Sequence, residues 1–299
     1  MEKNMNRSGA FLWVITAYLL AAIAGIGVAY LYRDQPWAEP LYLAAIADFI
    51  GTVVIFIFSF IFRNSSFYDP YWSVAPIFIV VYFAWMGLET PGTEPLRIYL
   101  ISALVFFWGF RLTYNWARGW QGLHHEDWRY VDLQKSTGKW YWLVSFSGIH
   151  LFPTILVFLG CLAMKPAMLV PGRGLNVIDL VAALFTLGAI LIEAVSDEQL
   201  RAFVKSKKKP GETLTSGLWA YSRHPNYVGE TSFWWGLFFF ALAADLTAWW
   251  CVIGPLSMTL LFHFISIPMI DKRMLERREN YAEVMERIPR FLPHPFKRG

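Results

Sequence analysis

Long apolar stretches alternate with short polar ones along the whole chain. Eight windows, 11–32, 41–62, 72–88, 96–117, 142–164, 177–192, 227–244 and 249–270, supply all or most of the roughly 20 apolar residues that a helix needs to cross hydrocarbon. A helix satisfies its own backbone in lipid, so this pattern predicts an all-α fold, a polytopic transmembrane helix bundle of about eight spans. Only a few residues around Asp245 separate the last two windows, which predicts a tight antiparallel hairpin. Lys3 and Arg7 precede the first window as in a signal peptide. That window is too long for the apolar region of such a peptide, and Arg33-Asp34 offers no small-residue cleavage site, so it reads as a retained span. No internal repeat or low-complexity linker interrupts the pattern. One membrane-embedded domain, 1–299, is expected, with N-terminal helices over 1–95 and a core over 96–299.

Composition sharpens this picture. Of the 299 residues, 56% are hydrophobic and only 16% charged, against about 25% in a soluble domain. The net charge of +4 does not indicate nucleic acid, because the basic residues flank the windows, where they set topology and meet anionic lipid. If the N-terminus is cytoplasmic, 21 of the 26 Lys and Arg fall inside, four fall outside, and Arg111 lies within the fourth window. Both termini are therefore expected in the cytoplasm, in a bacterial inner membrane or, in a eukaryote, the endoplasmic reticulum. Cys161 and Cys251 lie apart in apolar windows, as packing residues rather than a disulfide or a metal site.

Ionisable residues inside a span usually face a cavity or a partner. Arg111, Tyr114 and Arg118 share one face of the fourth window, which leads into the polar run 124–130. Asp48 and His150 are lone polar residues in the second and fifth windows, and a bond to a neighbouring helix would account for either. Asp69 stands at the mouth of the third window, and its place before Pro70 also suits a turn.

The densest chemistry lies near the C-terminus. Glu193, Asp197, Arg201 and Lys205 follow one another at four-residue spacing, and then come Lys207, Lys208 and Lys209. The run Trp219-Ala220-Tyr221-Ser222-Arg223-His224-Pro225-Asn226-Tyr227-Val228-Gly229-Glu230 opens the seventh window. A second basic stretch, with Asp271, Arg273 and Arg277, leaves the eighth and precedes Tyr281. Such a set suits an anionic ligand carrying a flat ring. Lys and Arg bind phosphate, Trp219, Tyr221 and Tyr227 offer stacking surfaces, and Asn226 can pair with an amide. Asp197 and Glu230 would hold ribose hydroxyls or order the cations.

The stretch from Lys209-Pro210-Gly211-Glu212 through Arg223-His224-Pro225-Asn226-Tyr227-Val228-Gly229-Glu230, with the tail Glu279-Asn280-Tyr281 to Ile288-Pro289, resembles the steroid 5-alpha-reductase superfamily. The related sterol C14 and C7 reductases carry a similar motif. The resemblance is best over 97–295. It implies an NADPH-dependent reduction of an activated carbon–carbon double bond in a lipid-soluble substrate, steroid-like or isoprenoid. Asn226 would contact the nicotinamide amide. Asp197, Glu230 and Tyr281 match cofactor-binding positions, and Arg201, Lys205, Lys207 and Lys208 fall where the adenosine phosphates are held. The 5-alpha-reductases polarise a keto oxygen with a Glu and a Tyr. Asp69 aligns with that Glu, but Trp108 aligns with the Tyr and cannot supply its proton, so Asp69, Arg111 and Tyr114 are the expected acid group.

Two other readings compete. Isoprenylcysteine and phospholipid methyltransferases share an Arg-His-Pro-x-Tyr-x-Gly stretch and bind S-adenosylmethionine. Asn226, Glu230 and the upstream Lys run match the reductase form better. A non-enzymatic membrane protein, such as a lipid-binding scaffold or a transporter, would need a polar path across the bilayer, yet the polar residues cluster on one face only. The expected partners are a lipid-soluble small molecule and membrane lipid, with no nucleic acid, and the expected state is a monomer.

Overall fold

The computed structural model describes residues 6–206 and 211–292; Lys207 and Lys208, two of the expected phosphate contacts, lie outside these residues. The described chain is helical, with no β-strand. Helices α1 (Arg7–Tyr32), α2 (Pro40–Ile61), α3 (Tyr71–Glu89) and α4 (Pro95–Gly119) coincide with the first four windows. The fifth window belongs to a longer, broken rod. It comprises α5 (Trp128–Thr137), α6 (Tyr141–Val144), a π-helical segment (Ser145–Leu151), α7 (Phe152–Cys161) and α8 (Met164–Leu169). The remainder is α9 (Val177–Lys205), α10 (Pro225–Ala244), α11 (Ile253–Leu261), α12 (Ile267–Arg277) and the short α13 (Tyr281–Arg287).

Among the described residues, seven helical runs are long and apolar enough to span a membrane, which makes the chain an integral, multi-pass membrane protein by length and composition. The seventh expected span, α10, has the length but not the apolarity. It is the core of the bundle, with 13 of its 20 residues buried, so it shows little surface to lipid and can carry Glu230, Thr231 and two Trp residues. Trp108 of α4 stacks on Phe233 with centroids 4.4 Å apart and planes 5° apart, and Trp234 meets Trp108 edge-on at 5.3 Å.

Local chemistry sets the helix boundaries. Pro40, Pro95 and Pro225 open α2, α4 and α10, where a missing N–H costs nothing. Asn176 and Asp179 form a reciprocal capping box that starts α9. Nothing after residue 192 breaks α9, and it continues to Lys205 because its charges find partners on α4. Arg97 binds Asp179 through two nitrogens at 2.6 and 2.8 Å. Arg111 pairs with Glu193 and Asp197, and Arg118 with Glu198. Arg97 and Arg111 are separated by about 21 Å of helix. Three successive rungs in the same order make α4 and α9 parallel and define two ends of the bundle. Arg97 marks one. The other holds the end of α9 and the start of α10, where Trp219 donates to the Ser196 carbonyl at 3.1 Å.

α9 and α10 approach closely at Gly229. A Cβ there would lie 2.7 Å from the Ala189 carbonyl oxygen and 2.8 Å from the Glu193 nitrogen, so only glycine fits this crossing.

Candidate functional site at the Asn226 end

A buried charge clamp underlies this end. Arg111 Nη1 donates to Asp197 Oδ2 at 2.9 Å. Its Nη2 sits 2.6 Å from Glu193 Oε2 as an ion pair without hydrogen-bond alignment. Asn115 also donates to Asp197, at 3.0 Å. Glu230 accepts from the indole nitrogens of Trp108 and Trp234, each at 2.8 Å. Arg111 is therefore spent on α9 and is not a free acid. Asp197 and Glu230, expected at the cofactor, hold helices together and do not line the cavity described next. The physical reason is the cost of an unpaired charge in a bundle core: each of these groups already has its partners.

That cavity, of about 260 Å³, lies where the ends of α9, α10, α12 and α13 meet the 213–219 segment. Trp219, Arg223, His224, Asn226, Tyr227 and Tyr281 line it, with Arg278 as a further cation. Asn226 Oδ1 is buried and has no hydrogen-bond partner. The His224 and Tyr227 rings lie parallel, 5.6 Å apart and 9° between planes, and Tyr227 packs on Phe262 at 4.6 Å.

One wall is tied down by Asp271. It accepts from Arg223 at 2.9 Å and from the Tyr281 hydroxyl at 2.6 Å, and His224 Nε2 lies 3.0 Å away. Arg223 also donates to the carbonyls of Met285 and Ile288, both at 3.0 Å, so this knot fastens the C-terminal segment across the cavity. Burial, together with the bond to Asp271, pushes the Tyr281 phenol above its ordinary range. Arg223, His224, Asp271 and Tyr281 were expected at a cofactor. The structure brings them together, but their polar atoms serve each other first.

Other expected contacts lie elsewhere. Arg201 reaches the Asn115 carbonyl, and Lys205 and Arg277 are exposed. Arg273 lies over the Trp128 ring at 3.9 Å. Tyr221 is exposed and absent from the lining. Helical periodicity explains much of this: Leu200, Phe203 and Val204 supply the α9 face that lines the cavity, and Arg201 and Lys205 lie on another.

Asp69 lies in the buried turn before α3, and its Oδ1 accepts from the Tyr130 hydroxyl at 2.7 Å. Tyr114, its expected companion, is 65% exposed beneath the Arg118 guanidinium and cannot act in a buried site. Sequence reasoning missed Tyr130. The only signal was its place at the end of the polar 124–130 run, 61 residues from Asp69. Asp69 and Tyr227 both lie within electrostatic reach of Arg129 and Asp127. Trp72, three residues beyond Asp69, meets Phe262 edge-on at 6.0 Å, and Phe262 in turn packs on Tyr227 of the cavity lining. Glu126 accepts from the Ser65 amide at 2.6 Å and fixes the same turn; burial raises its carboxyl pKa.

Comparison with known proteins shows relatives of this chain but names no activity. An uncharacterized protein of Schizosaccharomyces pombe is 24% identical over 286 residues, covering 88% of this chain and 81% of that protein. No solved structure matches the chain. The family model described as a protein of unknown function, DUF1295, matches residues 55–288, a range that includes Asp69, Tyr130, Asn226 and Asp271. This chain belongs to the DUF1295 family.

Proposed function

We propose that the chain is a membrane-embedded, NADPH-dependent reductase of an activated carbon–carbon double bond in a steroid-like or isoprenoid lipid. The observation that carries this reading is Asn226. A buried carbonyl oxygen without a partner is costly, by about 1–3 kcal/mol, unless a ligand N–H meets it. The carboxamide of a nicotinamide is such a donor, and the Trp219 and Tyr227 rings beside it suit a flat heterocycle. About 260 Å³ accommodates the ring end of a dinucleotide and not its whole length. Arg278, in the cavity lining, is the source of positive charge for the phosphates. When bound, NADPH supplies a hydride.

The chain's own part is to orient, to exclude water and to hold a proton. Asp69 and Tyr130 form a carboxyl–phenol pair that suits stabilisation of negative charge developing on the substrate's activating group. Tyr130 thereby takes the role that Trp108 cannot fill in the resemblance to the 5-alpha-reductases. Trp72, Phe262 and Tyr227 keep the space between acid and cofactor dry. The Asn226 end would face the cytoplasm, where NADPH is found.

Thermal unfolding of the purified chain tests this. NADPH at about a hundredfold excess over its Kd should stabilise by about 2.7 kcal/mol. S-adenosylmethionine should not stabilise, and Asn226→Leu should lose the NADPH effect. Stabilisation by S-adenosylmethionine alone would replace the reductase with a methyltransferase.

A further inference from the structure

A second cavity, larger than the one at the Asn226 end, lies elsewhere in the bundle. A chamber of about 870 Å³ lies among α1, α2 and α3, with a mouth where α1 gives way to α2. Its walls are small or apolar: Ala22, Gly25 and Ala29 of α1, Ala47 of α2, and Val74 and Phe78 of α3. All of the α1 and α2 lining precedes residue 55, where the family match begins, and the α3 wall lies within that match.

The charged residues of the lining are Arg33, Asp34 and Asp48. Arg33 and Asp34 pair with each other at 3.4 Å at the mouth, with the Arg33 guanidinium 3.7 Å from the Tyr30 ring. Asp48 is different. It sits about 12 Å along α2 from the helix start, and only 7% of it is exposed. Its Oδ1 accepts from the Tyr71 hydroxyl at 2.9 Å, and its Oδ2 is buried with no hydrogen-bond partner. A half-satisfied carboxyl deep in an apolar chamber is expensive in a membrane protein and marks a functional site.

We infer that this chamber binds an uncharged lipid alcohol, with its hydroxyl on Asp48 and its hydrocarbon along α1 and α3. The head is identified by complementarity. A hydroxyl can donate to a carboxylate and can accept from a carboxylic acid, so it satisfies Oδ2 in either protonation state. A ketone or ester satisfies only one of them. An ammonium would have to surrender its water to reach that depth. A volume of 870 Å³ falls within the roughly 300–1,000 Å³ of small-molecule sites and suits a polycyclic or isoprenoid skeleton. The inference is independent of the reductase reading, because it needs neither Asn226 nor a cofactor.

The test is equilibrium binding of radiolabelled farnesol to the purified full chain, with unlabelled farnesol or the hydrocarbon farnesene as competitor. Binding should be saturable, and farnesene should compete about ten-fold less well, as expected for one lost hydrogen bond. Ala22→Phe, which projects a ring into the chamber and leaves Asp48 in place, should weaken saturable binding. Asp48→Leu should erase the preference for the alcohol. Should Asp48→Leu fail to fold, the competition in the wild-type protein and the Ala22→Phe variant still decide. Equal competition by farnesene would mean that bilayer hydrocarbon fills the chamber and Asp48 recognises no head. That result overturns the inference, as does the absence of saturable binding in the wild type or an affinity left unchanged by Ala22→Phe. Loss of NADPH binding would bear on the reductase reading alone.

Discussion

The Tyr130 hydroxyl donates to Asp69 at 2.7 Å, joining the first turn of α5 to the turn before α3 and placing a carboxyl and a phenol in one part-buried pair. If this pair is the acid of the reaction, Asp69→Asn and Tyr130→Phe should each retain NADPH stabilisation. Each should reduce product formation from a lipid extract by about 10²-fold or more, read by mass spectrometry. Wild-type turnover in either variant would remove that residue from the acid pair. Tyr114→Phe, at the exposed position, should leave turnover unchanged.

Arg111 is the cation of a clamp that holds two carboxylates. Arg111→Met would leave Glu193 and Asp197 facing each other without compensation, a loss of about 3–5 kcal/mol for a broken buried pair. Adding Glu193→Gln and Asp197→Asn should restore most of that loss, because no charge is then stranded. The measurement is the unfolding midpoint in detergent. A midpoint unchanged by Arg111→Met would show that the ion pairs contribute nothing to α4–α9 packing.

Gly229→Ala should separate α9 from α10. The new methyl meets backbone atoms at 2.7 and 2.8 Å, which cannot rotate away, so a cost of about 1–3 kcal/mol is expected. Gly188→Ala, where a Cβ meets nothing within 4 Å, serves as the control and should be neutral or slightly stabilising. Equal effects at the two positions would mean that the helix crossing is looser than its geometry implies.

Topology is open to direct measurement. Single cysteines at Asp34 and Gly92, both at the Arg97 end, should react with a membrane-impermeant thiol reagent added outside cells. Cysteines at Gly138 and Glu279 should react only after permeabilisation. The native Cys161 and Cys251 are buried and should stay silent. The reverse labelling pattern would invert the orientation and place the Asn226 cavity on the outer side.

Much of the fold was legible in the chain itself. Apolar length located the spans, because the bilayer imposes one requirement on each segment separately and no partner is needed to read it. The four-residue spacing of Glu193, Asp197, Arg201 and Lys205 marked them as one set, and Asn226 was marked by the polar run that opens α10. The same spacing could not say which of those side chains turn to α4 and which to the cavity. That choice depends on the rotation of each helix about its axis, which packing against neighbours sets.

What the sequence determined by itself was a multi-pass helical membrane protein with its charged groups gathered at one end. Only the tertiary structure decided what those groups do. It committed Arg111, Asp197 and Glu230 to holding helices together, exposed Tyr114, paired Asp69 with Tyr130 across 61 residues, and left Asn226 and Asp48 each with an unpartnered oxygen beside a cavity. Pairings between distant segments are set by which helices pack together, and nothing local in the chain encodes them.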